Sequence, residues 1–356
     1  MKVAFTVYIK DSLGGAERRL IRIYNELCKT NSVSCELLVR GCDEEKATDV
    51  FERADCSTNN ISKVICFERT KECLKHILET QYDIIHYFEG NRFNSIIEFI
   101  SRIKGIKTIY TLCNYYEALN IADVSKMRYV RRQLKMADIV DLLYPLGLDY
   151  ISKIRKRRID ITPGTFTELM LFKPQKKERL MVYAAARLEK GKNPELLIEA
   201  CECCKESIRD SNYKVIVLGK GELFDRLAEK VNTYGIDDIV ELSGYKKTSE
   251  YLPYAEVAFS LQMIENYPSQ MVAEAASSGC FLIITDVGDS RKCADTSFCQ
   301  FIHEDKYELA EAIVRYIDLS ENEKSRIIAD ARNYASVNYS LQRSVEYFRG
   351  LLETLC

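Results

Sequence analysis

Three stretches of the chain combine residue types that can hold a phosphorylated ligand. Gly14-Gly15-Ala16-Glu17-Arg18-Arg19 sets two glycines ahead of a run with helical spacing. Glycine lets backbone amides approach an anion, and a helix start adds its dipole. A tight turn needs glycine just as much, so this motif alone leaves both readings open. Arg187-Leu188-Glu189-Lys190-Gly191-Lys192-Asn193-Pro194 comes just past a strand-like run. Arg187 can fork onto phosphate oxygens and Lys192 can add a compact charge, while Asn193-Pro194 also reads as an ordinary helix start. Glu265-Asn266-Tyr267-Pro268-Ser269-Gln270 follows another apolar run and leads through Glu274 to Gly279. A helix starting near Ser269 presents free amides, and a carboxylate one turn in can accept both hydroxyls of a ribose. Two glutamates nine apart are also common without any function.

Short β-rich runs alternating with amphipathic stretches must position these groups. Val3 to Ile9, Cys35 to Val39, Ile84 to Phe88, Thr108 to Leu112 and Ile139 to Tyr144 read as strands, with helices over Ala16 to Lys29, Asn94 to Ile103 and Ser125 to Met136. A second series runs Met181 to Ala185, Lys214 to Leu218, Val240 to Ser243, Val257 to Leu261 and Phe281 to Thr285. Its helices are Pro194 to Cys204, Glu222 to Tyr234 and Gln270 to Ser278. Such alternation predicts an α/β protein with parallel sheets crossed over by helices. Both cationic and acidic loops then fall at the carboxyl ends of strands, where open α/β sheets bind ligands.

A chain of 356 residues exceeds one comfortable core, which predicts two domains. The irregular segment 162 to 177, with Pro163, Gly164 and Pro174, marks their hinge. The expected division is 1–165, 166–340 and a closing amphipathic helix in 341–356 that packs back on the first domain. Lys and Arg number 51 against 53 Asp and Glu, a formal net charge of -2 that leaves no global field to gather nucleic acid. No apolar run is long enough to span a bilayer, and the start of the chain reads as a strand, not an export signal. The fourteen cysteines scatter through apolar segments, as reduced, buried thiols do.

Taken together and in this order, the three motifs resemble the family 4 glycosyltransferases of the GT-B fold. Asp83-Ile84-Ile85-His86, Val217-Leu218-Gly219-Lys220-Gly221-Glu222, Val240-Glu241-Leu242-Ser243-Gly244-Tyr245 and Asp286-Val287-Gly288-Asp289 extend the likeness over nearly the whole chain. The resemblance implies two doubly wound Rossmann-like domains with parallel sheets facing across a cleft, acceptor in the first and donor in the second. It implies a retaining transferase that takes a sugar from a nucleotide-diphosphate donor to a glycan or polyprenyl-linked acceptor, in surface polysaccharide synthesis. Arg187 and Lys192 would hold the diphosphate, Glu274 the ribose, and Glu265 with the following amides the sugar. Gly14, Gly15, Gly219, Asn266, Tyr267, Pro268, Ser269 and Gln270 complete the donor site. No metal or other cofactor is expected, because basic residues neutralise the leaving group in this fold.

Two departures matter. The spacing to Glu274 is one residue longer than the family's, so Asn266 stands at the expected first acidic position and Glu265 is offset. Where many relatives carry a histidine after the strand ending at Leu112, this chain has Cys113-Asn114. Cys113, Asn114 and His86 are the acceptor-side candidates, His86 serving equally well as a hydrogen-bonded core residue. Cys201 and Cys204 lack a second pair at zinc spacing. Basic clusters at Lys126 to Lys135 and Lys153 to Arg158 read as solvated helix faces or as contact with anionic lipid, which would suit a cytoplasmic enzyme peripheral to the inner membrane face. A GT-B sugar-nucleotide epimerase and a degenerate scaffold subunit are the alternative readings.

Overall fold

The computed structural model describes residues 1–9, 13, 15–29, 33–53, 63–113, 127–155 and 157–355. The chain divides into two compact units, one of Met1–Pro163 with Leu341–Cys356 and one of Gly164–Ser340.

The first unit is built on strands β1 (Lys2–Tyr8), β2 (Ser34–Arg40), β3 (Val64–Phe67), β4 (Ile84–Tyr87), β5 (Lys107–Leu112), β6 (Ile139–Leu142) and β7 (Ile159–Ile161). They form one sheet in the order β3-β2-β1-β4-β5-β6-β7, every pair parallel. Val3, Ala4, Phe5 and Val7 of β1 are all buried. Burial of both faces is why the central strand reads as a continuous apolar run, with no alternation. The Val3, Phe5 and Val7 side chains each contribute about 1.5 to 3 kcal/mol when removed from water.

Crossover helices complete the unit. Helix Arg92–Lys104 is capped at Asn91, whose side chain accepts from the Asn94 amide, and it starts two residues ahead of the start expected at Asn94. The last helix, Leu341–Glu353, is part of this unit's core: the Phe348 ring stands edge-on to His86 with centroids 4.9 Å apart, and the Tyr347 hydroxyl donates to Asp141 at 2.7 Å.

The second unit holds β8 (Glu178–Arg187), β9 (Lys214–Lys220), β10 (Val240–Gly244), β11 (Ala255–Ser260), β12 (Phe281–Thr285) and β13 (Cys299–Ile302), all parallel in the order β10-β9-β8-β11-β12-β13. Its single large core joins these strands to helices Pro194–Cys203, Gln270–Ser277, Lys306–Ile317 and Glu321–Asn338. In each unit the connections run outward in opposite directions from one pair of central strands, β1/β4 in the first and β8/β11 in the second. Loops leaving the carboxyl ends of such a pair diverge and open a crevice.

Among the described residues no helix is long and apolar enough to cross a membrane. All twelve described cysteines are free thiols, most of them buried.

Candidate active site

Both chemistry-bearing loops of the second unit leave its diverging pair, the cationic one β8 and the acidic one β11. The sequence places Arg187 just past its strand; in the structure it is the last residue of β8, which runs longer than expected and pairs there with Lys220 of β9. Arg187 is 78% exposed, with Glu189 3.8 Å away, so its guanidinium stands in solvent at the sheet edge. Lys220, also exposed, puts a second cation beside it. Its backbone carbonyl accepts from the Leu188 amide at 2.9 Å, which holds the turn against the sheet.

Lys192 ends the short 3-10 turn Lys190–Lys192 and is half-buried. Its ammonium donates to Gln262 Oε1 at 2.8 Å. Burial lowers its pKa, and the nearby charge of Arg187 lowers it further, against the attraction of Glu189. Gln262 passes the contact on: its Nε2 donates to Asn266 Oδ1 at 2.7 Å, and the Ser260 hydroxyl donates to the same oxygen at 2.9 Å. Asn266 is 1% exposed, so this chain of amides fixes Lys192 relative to the second loop without neutralising its charge.

Glu265, favoured as a sugar ligand, faces a different task. Its Oε1 accepts from the amides of Asn266 and Tyr267, both at 2.8 Å, and of Asp289 at 3.0 Å. The residue is 8% exposed, and a Cβ on Gly288, where φ is +53°, would come within 2.4 Å of the carboxylate. Glu265 thus anchors its own loop to the turn after β12. Asn266, at the position where the resemblance expects an acid, faces Gln262. The sequence showed the offset, but could not show which way each side chain turns.

Beyond the cis peptide Tyr267-Pro268, Ser269 caps helix Gln270–Ser277 by accepting from the Val272 amide. Glu274, one turn in, is partly exposed; Oε1 accepts from Gln270 Nε2 at 3.0 Å and Oε2 from the Thr248 hydroxyl at 2.7 Å. Gln270 in turn accepts from Thr165 at 2.6 Å. Two neutral donors orient this carboxylate. Gly219 closes the site from below: φ is +136°, and a Cβ would meet the Ala185 carbonyl at 2.0 Å, so only glycine lets β8 and β9 approach this closely.

Residues 167–334 match the model of the family described as glycosyl transferases group 1. Over 281 residues, 76% of this chain and 76% of the relative, the sequence is 24% identical to a Campylobacter jejuni enzyme, the GalNAc-alpha-(1->4)-GalNAc-alpha-(1->3)-diNAcBac-PP-undecaprenol alpha-1,4-N-acetyl-D-galactosaminyltransferase. The chain is a glycosyltransferase of GT-B fold. Solved structures carry the fold: Anabaena HepE in complex with UDP and glucose superposes with a TM-score of 0.77 at 14% identity, covering 99% of this chain and 100% of that one. The sucrose-phosphate synthase of Thermosynechococcus elongatus gives 0.71 at 16% identity, covering 99% and 98%.

The transferase's first unit places its candidates differently. His86 is 2% exposed in the middle of the sheet, its Nε2 2.8 Å from the Thr111 hydroxyl, which donates to Asp141. Burial, aided by the charge of Arg19, lowers its pKa to about 3. That is the core histidine of the two readings. Cys113 is partly exposed, with its Sγ 4.0 Å from the Phe88 carbonyl. Gly14 and Asn114 lie outside the described residues; Gly15 opens helix Gly15–Cys28 with open space around it.

Among the described residues no group of three or more His, Cys, Asp or Glu side chains is placed to hold a metal ion. Asp286 and Asp289 are paired with Arg291 at 2.6 Å and Lys292 at 2.9 Å. The sequence reading missed Lys220, Gln262 and Thr248. Lys220 lay inside a quoted motif, whereas Gln262 and Thr248 carry no local signal, because only the fold brings them to Lys192 and Glu274.

Proposed function

We propose that this transferase moves a sugar from a UDP-sugar to a glycan or polyprenyl-diphosphate-linked glycan, with retention at the anomeric carbon, as a family 4 enzyme of surface polysaccharide synthesis. The observation that supports this reading is that the loops leaving the neighbouring strands β8 and β11 carry two cations, a capped helix start and an oriented carboxylate. Arg187 and Lys192 hold the diphosphate, Glu274 the ribose hydroxyls, and the backbone of Asn266 to Gln270 the sugar and inner phosphate. Glu265 and Gly219 position the loops that carry them. The UDP in the HepE complex and the polyprenyl diphosphate in the Campylobacter enzyme's name support the choice of ligands.

The chemistry follows from charge. As the bond from the anomeric carbon to the phosphate oxygen breaks, negative charge grows on the diphosphate and positive character on the ring. Fixed cations in a partly desolvated site stabilise the first without reorganising. The acceptor oxygen attacks from the face the diphosphate leaves, and its proton passes to the departing phosphate oxygen, so no covalent enzyme intermediate is required. Glu265 is unsuited as a nucleophile, since three backbone amides bind its Oε1. Asp286 and Asp289 keep their cation partners, and charge neutralisation rests on Arg187 and Lys192. A polyprenyl-linked acceptor is met at the cytoplasmic face of a membrane, so peripheral contact with anionic lipid belongs to the same reading.

Slow hydrolysis of UDP-sugars followed by proton NMR tests this. An α-sugar as the first product supports retention. A β-sugar first contradicts retention, and an epimerised nucleotide sugar contradicts transfer altogether.

A further inference from the structure

Helices Thr70–Glu79, Arg92–Lys104 and Arg128–Met136 lie side by side in the first unit. Lys104 Nζ donates to the Leu78 and Thr80 carbonyls at 2.7 and 2.8 Å, and Gln133 Nε2 to the Asn91 carbonyl at 2.8 Å, which ties all three together. The outer surface of this layer has three protruding apolar side chains: Leu78 is 53% exposed, Phe99 57% and Ile103 70%. Phe99 and Ile103 stand one turn apart on the middle helix. Apolar groups that cluster on a surface, not scatter singly, mark interaction sites.

The net charge on the same layer is positive. The middle helix contains a single carboxylate, Glu98, which is 3% exposed and bonds to the Tyr87 hydroxyl. Helix Arg128–Met136 contains none. Outside lie Arg92, Arg102, Arg128, Arg132 and Lys135, all exposed. Glu72 and Glu79 on the first helix are matched by Arg69 and Lys75 at 2.9 and 3.7 Å. In a chain of net charge -2, this is a local cationic face around an apolar centre.

We propose that this three-helix face docks on an anionic lipid surface, Phe99 and Ile103 entering the headgroup boundary while the arginines and Lys135 meet lipid phosphates. The proposal rests on the polyprenyl-linked acceptor reading, and moves the docking surface from the basic clusters alone to a face whose centre is apolar. Interfacial helices combine these two features. A nucleic acid would use the cations but give Phe99 and Ile103 no role as an apolar wedge. A second copy of the chain, packed by a two-fold axis, would set the same cations against themselves.

Co-sedimentation of the full chain with phosphatidylcholine vesicles, with and without phosphatidylglycerol, decides. The expected result is binding to the anionic vesicles only, weakened by salt, and reduced at least about tenfold by Phe99→Glu with Ile103→Glu and by Arg128→Glu with Arg132→Glu. Phe99→Ser with Ile103→Ser, which adds no charge, should also weaken it. Equal binding to neutral vesicles, or anionic binding untouched by the Phe99 and Ile103 changes, overturns the proposal. So does binding to a single-stranded oligonucleotide in place of vesicles, or a dimer by light scattering that those changes dissociate while vesicle binding persists. UDP-induced thermal stabilisation, measured on every variant, reports folding and donor binding separately. Wild-type protein stabilised by UDP but indifferent to vesicles rejects the docking face alone; protein that binds vesicles but not UDP rejects the donor reading.

Discussion

The two units repeat one topology and treat the cations at the carboxyl ends of their central strands in opposite ways. At the edge of the second sheet Arg187 is open to solvent and Lys192 is held by neutral amides, so positive charge is available to a ligand. At the edge of the first sheet Arg40, the last residue of β2, is 5% exposed. Its guanidinium lies 3.7 Å over the Phe93 ring and 3.1 Å from Glu89. Arg187 shares a long, solvent-exposed contact with Glu189, whereas Arg40 is neutralised internally. The comparable position is therefore a solvent-facing cation in the second unit and a buried, paired one in the first.

The comparison can be broken most easily at the cations. Lys192→Ala should cost about 2.7 to 4 kcal/mol of barrier, roughly 10² to 10³ in rate, as loss of one preorganised charge does elsewhere. UDP-sugar turnover under saturating donor measures it, and a rate within a fewfold of wild type would leave the second unit's edge no more special than the first's. Glu265→Ala sharpens the contrast between anchoring and binding. It leaves the amides of residues 266, 267 and 289 without their acceptor, so unfolding should be easier by about 3 kcal/mol, the low end of 1 to 3 for each orphaned group because two of them are only partly buried. Urea denaturation reads this out; an unchanged midpoint would show that the carboxylate is not the anchor.

Arg40→Ala should act on the first unit alone. A loss of about 1 to 2 kcal/mol in stability is expected, less than for a fully buried pair because Glu89 is partly exposed. UDP affinity, measured by calorimetry, should stay within about twofold, which is the order of additivity error for distant sites.

The smallest effect is one of pH. His86, lowered to about 3 from 6.5, binds fewer protons folded than unfolded, so its stabilising neutrality is complete above 6.5 and is lost as pH falls toward 3. Glu98, raised by burial to about 7 from 4.5, stabilises as the protonated acid below 4.5, and that contribution is lost as pH rises through 7. Between 4.5 and 6.5 the two slopes oppose. His86→Gln should therefore leave stability falling with pH there, and Glu98→Gln should leave it rising, by about 1 kcal/mol per pH unit in each case. Denaturation midpoints collected across that window would expose parallel slopes if the assignment is wrong.

The contrast between the units also explains what was legible in the sequence. Long apolar strands and capped helices announce themselves, and the order of motifs pointed to the fold. Strands of three or four residues at sheet edges, β3, β7 and β13, carry too few positions for a period. Helix Glu321–Asn338 was overlooked although Ser320 and Glu323 form a capping box that could have marked it. At the site, residue type singled out Arg187, Lys192 and Glu274, which keep part of their surface in solvent at the end of β8 and in the segments that follow β8 and β11. The roles of Glu265 and His86 depend on direction: whether a side chain faces the crevice or the backbone behind it is decided by neighbours distant in sequence.

The central claim, that the second unit's edge reserves its charge for a diphosphate, is tested most directly by calorimetry of UDP against uridine. Wild-type protein should bind UDP far more tightly, and Arg187→Ala with Lys192→Ala should erase most of the difference while uridine affinity stays as it was. A double variant that still prefers UDP by the wild-type margin would contradict the account.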